Sequence, residues 1–269
     1  MPPFLGRVDA DAAIAFARAT NDPSELYDHG VVPPLFTAAL IHGAFAVTSR
    51  EMTEAVPTRG GTNSLHAEHD VHLLRPMVAG MAIQWEAAPF SVRQTPAGVM
   101  LVQRIVVSDA EGVPLVEHFW SSLTLGATVE AEQGDDRPTH TFPPDARQRP
   151  LGTGRVHVDP DQGFRYGGVS GDRIGHSLDD EVARGEGFPS KILQGLCTFA
   201  LASVAVVDVA ADRDPRRLRR FAGRFSAPAF PNRDLDVDVY DAGDGAVAFE
   251  ARQDDVVVIK HGRAELAVD

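Results

Sequence analysis

Residues 166–199 hold the side chains best suited to chemistry. Asp172 follows a glycine, His176 lies four residues later, and Gly195 opens a long apolar run. A carboxylate and an imidazole within hydrogen-bond reach of a substrate can move protons. The first N–H groups of a helix have no partner inside the helix, so they can stabilise a developing negative charge. The segment therefore predicts an acid/base pair beside an oxyanion site.

Two apolar runs predict the helices that would position these groups. One covers residues 35–52 after a Pro-Pro step, and the other covers 191–210 shortly after Pro189. A helix that is apolar nearly all round must be buried on most of its surface. Four strand-like segments bounded by turn signals follow each run, at 64–75, 80–93, 98–109 and 114–125, and at 217–228, 235–241, 245–253 and 256–267.

The repeated order of one helix and four strands indicates an internal duplication in an α+β fold. Each helix can bury its surface only against the concave side of a strongly twisted antiparallel sheet, and the two sheets would join edge to edge. We expect an N-terminal unit over 1–126 and a C-terminal unit over 156–269. A linker over 127–155, rich in Pro, Gly and charge, would connect them.

Bulk composition excludes some classes of function. The 269 residues are 43% hydrophobic and 23% charged, which is typical of a soluble domain, and the net charge of -13 argues against nucleic acid and anionic membranes as partners. Cys197 is the only cysteine, so no intramolecular disulfide can form. The N-terminus lacks the pattern of a secretory signal, and no apolar run is long enough to span a bilayer. A cytoplasmic protein is expected.

The motif and the duplicated plan together resemble the MaoC-like dehydratases, or hydratase 2 family, which have a double hotdog fold. In that fold a long central helix is wrapped by an antiparallel sheet, twice. The resemblance is specific in the C-terminal half and weaker in the N-terminal half, where it rests on the organisation and on LLRPMVAG at 73–80. Its matching positions are Tyr166, Val169, 170–172, 178–184, 187–189, 192–193, 195–198 and the RFSAP segment at 224–228.

The resemblance implies an (R)-specific enoyl-thioester hydratase or dehydratase. Water would add to a trans-2-enoyl thioester, or leave a (3R)-hydroxyacyl thioester, in the chemistry of fatty acid or polyketide metabolism. Asp172 would be the base or the carboxylate that orients water, and the N–H of Gly195 would polarise the thioester carbonyl. The family needs no metal or organic cofactor. The expected substrate is an acyl-CoA or an acyl-carrier protein, and a homodimer is compatible.

The sequence departs from the family at the chemistry. Ser177 falls on the catalytic histidine, His176 lies one residue early, and Gln194 replaces another family histidine. Either His176 still reaches the cleft, or it points away while Ser177 caps the next helix. The catalytic candidates are therefore Asp172, His176, Ser177 and Gly195, and the substrate-binding candidates are Tyr166, Gln194 and Arg217. The arginines around Arg217 would contact coenzyme A phosphates or form a solvated strand edge.

The N-terminal half contains further histidines. His42-Gly43 echoes the family's His-Gly step and is interpreted as a degenerate site, so this half would supply the acyl pocket. In a strand, His66 and His72 would share one face and His69 the other, which is a poor arrangement for zinc. Cys197 is expected to pack inside a helix.

Two alternatives to hydration remain at the level of sequence. The same fold can host another thioester reaction, such as cyclisation, isomerisation or thioester hydrolysis. In the second alternative, the chain is a non-catalytic subunit that binds the acyl group, and a companion chain carries the intact motif.

Overall fold

Long antiparallel strands dominate the computed structural model, which describes residues 3–42, 45, 58–61 and 64–267. Within these residues, ten strands pair in the order β1-β4-β5-β6-β3-β10-β13-β12-β11-β9, and β8 adds to β4. The strands of this sheet are β1 (Phe4–Arg7), β3 (Ser64–Leu73), β4 (Ala82–Thr95), β5 (Gly98–Asp109), β6 (Pro114–Leu125), β8 (Gln133–Gly134), β9 (Pro150–Val158), β10 (Leu218–Phe225), β11 (Arg233–Gly243), β12 (Ala246–Gln253) and β13 (Val256–Leu266). A separate pair joins β2 (Thr58–Arg59) to β7 (Thr128–Val129).

The two halves join where β3 pairs with β10 in antiparallel register, with Asp70 opposite Ala222. All eight predicted strands are present within a few residues of their expected bounds. The predicted α+β class and the edge-to-edge junction are therefore confirmed. Strand β9 begins at Pro150, inside the segment that the sequence assigned to a linker, because its backbone pairs with the outer edge of β11.

The C-terminal central helix is α6 (Gly195–Ala210). Phe199, Leu201 and Val206 of this helix are fully buried, as expected for a helix enclosed by its sheet. The helix begins at Gly195, with Gln194 as the N-cap, later than the apolar run suggested. The N-terminal apolar run contains α2 (Phe36–Leu40), and most of its remainder lies outside the described residues.

Of the described helices, α1 (Ala10–Ala19), α3 (Gln162–Ser170) and α4 (Gly175–Leu178) were not predicted from the sequence, whereas the helix expected after Ser177 is present as α5 (Asp180–Gly185). Gly167 and Gly168 lie in α3. Gly167 is needed for close packing, because a Cβ there would lie 2.9 Å from the carbonyl oxygen of Asp172. None of the described helices is long and apolar enough to cross a membrane.

Candidate active site

The backbone around Asp172 is fixed by the end of α3. Gly171 adopts φ = 74° as the C-cap of that helix, a conformation that glycine adopts without steric cost. The next amide, that of Asp172, donates to Ser170 Oγ at 3.2 Å. The Ser-Gly-Asp step is thus a helix terminator, and it turns the carboxylate of Asp172 away from α3 while leaving it partly exposed.

His42 of the N-terminal half faces this carboxylate. Its Nε2 lies 3.7 Å from Asp172 Oδ1, and the two side chains are 30% and 19% exposed. Both groups are therefore open to a small molecule, and the contact between them can tighten when substrate binds. The sequence alone predicts that His42 belongs to a degenerate site. The structure instead places it beside the aspartate that the motif identified.

Gln194 connects three elements of the site. Its Nε2 donates to the carbonyl oxygens of Gly163 and Asp172, both at 3.0 Å, and its side chain is nearly completely buried. The side chain makes no capping bond to α6. Gln194, predicted to bind substrate, therefore holds the Asp172 backbone against the start of α6.

Gly195 is the first residue of α6 and borders an aromatic wall. A methyl group built on Gly195 would lie 3.6 Å from the ring of Phe225 and 3.8 Å from His66 Nδ1. The α-carbon of Gly195 therefore faces a space bounded by two rings. The unpaired first-turn amides of a helix of this length carry partial positive charge, so this space is electrostatically suited to a carbonyl oxygen.

His176 does not join Asp172. Its Nδ1 lies 2.7 Å from Glu186 Oε2, and its ring packs edge-on against Phe188. The interpretation that His176 points away is the one that the structure supports. The companion expectation, that Ser177 caps the next helix, is wrong: Asp179 is the N-cap of α5, accepting from the amides of residues 181 and 182. Ser177 is buried, and its Oγ has no hydrogen-bond partner among the described residues.

The remaining predicted site residues lie behind the site or far from it. Tyr166 is 1% exposed and packs against Phe16. Burial raises its pKa, and the Cys197 thiol and the Asp172 charge act in the same direction. Burial likewise raises the pKa of Cys197, which keeps this thiol protonated. Both side chains are therefore buried and uncharged.

Arg217 does not line this site. It pairs with Asp212 just before β10 begins, whereas Phe225, which borders Gly195, is the last residue of that strand. An eight-residue strand spans about 26 Å at roughly 3.3 Å per residue. Arg217 is therefore at the opposite end of β10 from the carboxylate.

The histidines of β3 differ from their predicted arrangement. A β-bulge between His66 and Glu68 shifts the register of β3 against β6. The extra residue reverses the alternation, so His66 and His69 lie on the same face, and His66 Nε2 is 3.2 Å from His69 Nδ1. His72 contacts Asp70 instead, with Nε2 3.2 Å from Oδ1. The expected pairing of His66 with His72 is wrong, because strict alternation ignores bulges.

A buried chain of imidazoles continues from His69. His69 Nε2 lies 3.0 Å from His118 Nδ1, and His118 Nε2 lies 2.9 Å from Thr37 Oγ1. Burial lowers the pKa of His66 and of His118 to about 3, and it lowers the pKa of His69 well below its usual value. The nearby His42 also lowers the pKa of His66. The fully buried rings of His69 and His118 and the half-buried ring of His66 are therefore neutral, and among the described residues no side-chain cluster is arranged to hold a metal ion.

The fold and the site define a double hotdog protein in which Asp172 and the start of a central helix face a histidine from the other half. Residues 142–260, which make up most of the C-terminal half, match the family model of the MaoC like domain. The resemblance drawn from the sequence is confirmed.

Known proteins agree with this assignment. The chain is 23% identical over 190 residues to a probable enoyl-CoA hydratase 2 from Dictyostelium discoideum, covering 70% of this chain and 64% of that protein. It is 37% identical over 89 residues to the enoyl-CoA hydratase ChsH3 from Mycobacterium tuberculosis, covering 33% of this chain and 31% of that protein. A MaoC-like dehydratase from Phytophthora capsici has the same fold, with a TM-score of 0.82 at 22% identity over 99% of this chain and 95% of that one. The chain thus spans less than two thirds of the length of these two curated relatives.

Proposed function

We propose that this protein is an (R)-specific enoyl-thioester hydratase or dehydratase in which Asp172 and His42 form the acid/base pair. The observation that carries the proposal is the 3.7 Å approach of His42 Nε2 to Asp172 Oδ1. Proton transfer needs two titratable groups that share one site and one substrate. The motif histidine is absent, and His42 supplies an imidazole from the opposite half of the fold.

The hydration follows from this geometry. Asp172 accepts a proton from water while the water oxygen bonds to C3 of the enoyl thioester. The π electrons of the C2=C3 bond move toward the thioester, and negative charge develops on its carbonyl oxygen. The N–H of Gly195 stabilises that oxygen. C2 then takes a proton from protonated His42, and the proton on Asp172 returns to His42, which restores the pair. Dehydration is the same sequence in reverse.

The substrate is proposed to be an acyl-CoA or acyl-carrier-protein thioester. The names of the relatives, which include enoyl-CoA hydratases, support the thioester class. The proposed domain boundaries, the homodimer and the cytoplasmic location remain predictions from the sequence.

The proposal is tested with the loss of enoyl-thioester absorbance and the appearance of the 3-hydroxyacyl product. Asp172→Asn and His42→Ala should each lower kcat by about 100- to 10,000-fold, the usual contribution of general acid–base catalysis. His176→Ala is the matched control, because its imidazole pairs with Glu186, and it should retain activity.

Four outcomes would contradict parts of the proposal. Full activity in His42→Ala would remove His42 from the chemistry. A large loss in His176→Ala or Ser177→Ala would return catalysis to the motif positions. Release of free thiol without hydration would identify a thioesterase, and thioester binding with neither reaction would identify a partner subunit.

A further inference from the structure

The buried histidine chain ends at the proposed thioester site with one ring nitrogen unused. His66 Nε2 is occupied by His69, whereas Nδ1 makes no hydrogen bond within the part of the chain that the structure describes. This Nδ1 faces the open side of Gly195, 3.8 Å from where a Cβ would lie. The His66 ring is held by stacking on Trp120, with 3.9 Å between centroids and 8° between planes. The orientation of Nδ1 is therefore fixed by packing.

Thr37, at the other end of the row of histidines, determines the direction of the hydrogen bonds along the row. Thr37 is fully buried, and its hydroxyl has no partner other than His118 Nε2 among the described residues. If His118 donated to Thr37, the hydroxyl hydrogen would be left buried without an acceptor, which costs about 1–3 kcal/mol. Thr37 therefore donates to His118 Nε2, and His118 must carry its proton on Nδ1.

The same logic passes along the chain because each neutral imidazole has one donor and one acceptor. His118 Nδ1–H donates to His69 Nε2, and His69 Nδ1–H donates to His66 Nε2. His66 consequently carries its own proton on Nδ1. A hydroxyl on α2 thus sets the tautomer of a ring that borders the start of α6.

We propose that His66 Nδ1–H is a second hydrogen-bond donor to the thioester carbonyl, beside the N–H of Gly195, and that Thr37, His118 and His69 are positioning residues that hold its tautomer. This assignment rests on the proposed thioester site. The arrangement is a preorganised oxyanion site, because a neutral donor fixed by packing and by a hydrogen-bond chain needs no reorganisation as charge develops.

The first test measures the tautomers of the histidines and the polarisation of the thioester carbonyl, and neither measurement depends on turnover. Ring ¹⁵N chemical shifts of the full chain should show His66, His69 and His118 all protonated on Nδ1. A saturated acyl-CoA labelled with ¹³C at the thioester carbonyl, which cannot be hydrated, should show a lower carbonyl stretching frequency when bound. In His66→Phe, which keeps a ring against Trp120 but has no donor, that shift should shrink. In His66→Asn, whose amide can replace the Nδ1 donor, it should be restored in part.

Turnover provides the second readout. His66→Phe should lower kcat by about 100- to 1000-fold with little change in KM, since the missing donor acts mainly in the transition state. Thr37→Val should broaden the tautomer distribution at His66 and cause a smaller fall in kcat, whereas Thr37→Ser should behave like the native protein. His72→Asn, on the same strand but outside the chain, is the matched control.

Two results would overturn the inference: a proton on His66 Nε2 in the native protein, or an unchanged carbonyl shift in His66→Phe. These outcomes are separable from a failure of the proposed hydration. A native protein that shifts the carbonyl but does not hydrate would retain the His66 assignment and lose only the reaction. A native protein that hydrates the enoyl thioester but gives no shift with the saturated acyl-CoA would lose the His66 assignment and retain the reaction.

Discussion

His42 Nε2 and Asp172 Oδ1 lie 3.7 Å apart although they belong to different halves of the duplicated chain. Neither half contains both members of the proposed acid/base pair. The pair exists because β3 and β10 join the two sheets, and because the end of α3 turns the carboxylate toward the N-terminal half.

Gln194 should couple stability to catalysis. Gln194→Ala removes both donors to the carbonyls of Gly163 and Asp172, and we expect the free energy of unfolding to fall by about 1–3 kcal/mol. The Asp172 backbone would be released, so kcat should fall as well. Urea unfolding and enoyl-thioester hydration measure the two effects, with the exposed Gln148→Ala as control. A kcat equal to that of the native protein in Gln194→Ala would show that the hydrogen bonds of Gln194 do not position Asp172.

Gly195→Ala should separate activity from folding. The added methyl group would make ordinary contacts with Phe225, at 3.6 Å, so the thermal midpoint should change little. It would occupy the space where the thioester carbonyl is proposed to bind, and kcat/KM should fall sharply. Gly168→Ala, a helical glycine with no atom within 4 Å of the new Cβ, serves as the control and should gain about 0.5–1 kcal/mol. An active Gly195→Ala variant would contradict the placement of the carbonyl.

The buried histidines should make the protein acid-sensitive. Because burial lowers the pKa of His66, His69 and His118 in the folded state, their contribution is fully present above the unfolded value of about 6.5 and is lost as pH falls below it. Near pH 5 the unfolded chain should bind about three more protons at these positions, a slope of about 4 kcal/mol per pH unit. Denaturant unfolding between pH 5 and 8 measures this slope. A flat profile between pH 5 and 6.5 would show that the three rings are charged in the folded protein.

The junction between the halves should depend on one buried ion pair. Arg220 of β10 binds both carboxylate oxygens of Asp70 on β3, at 3.0 and 2.7 Å, and both side chains are buried. Asp70→Ala would leave the buried Arg220 with only Glu265 as an ionic partner, at 3.1 Å, so the fold should be destabilised by about 1–3 kcal/mol. Asp208→Ala, which breaks an exposed pair with Arg213, should cost no more than about 1 kcal/mol. Equal thermal midpoints for the two variants would contradict this role.

The sequence predicted the fold well because its signals are local. Alternation and turn residues located the strands of both sheets, and the apolar run after Pro189 located α6. The motif also identified Asp172 and Gly195, which the structure places near one another through Gln194. The match of residues 142–260 to the MaoC like domain confirms the family assignment of the motif.

The sequence could not predict how the site is completed. His42 reaches Asp172 through the packing of two halves, and no spacing in the chain encodes that contact. His66 faces the site because a bulge reverses the alternation of β3, whereas a strict two-residue period placed it with His72. The His42-Gly43 step was the one available signal, since it echoes the family's His-Gly step, where the second half of this chain has Gln194-Gly195.

The β3–β10 junction has a consequence for how such a chain can change over time. Once two copies of a unit share one continuous sheet, a group lost from one copy can be replaced by a residue of the other copy that lies across the junction. The proposed use of His42 in place of the motif imidazole is a replacement of this kind.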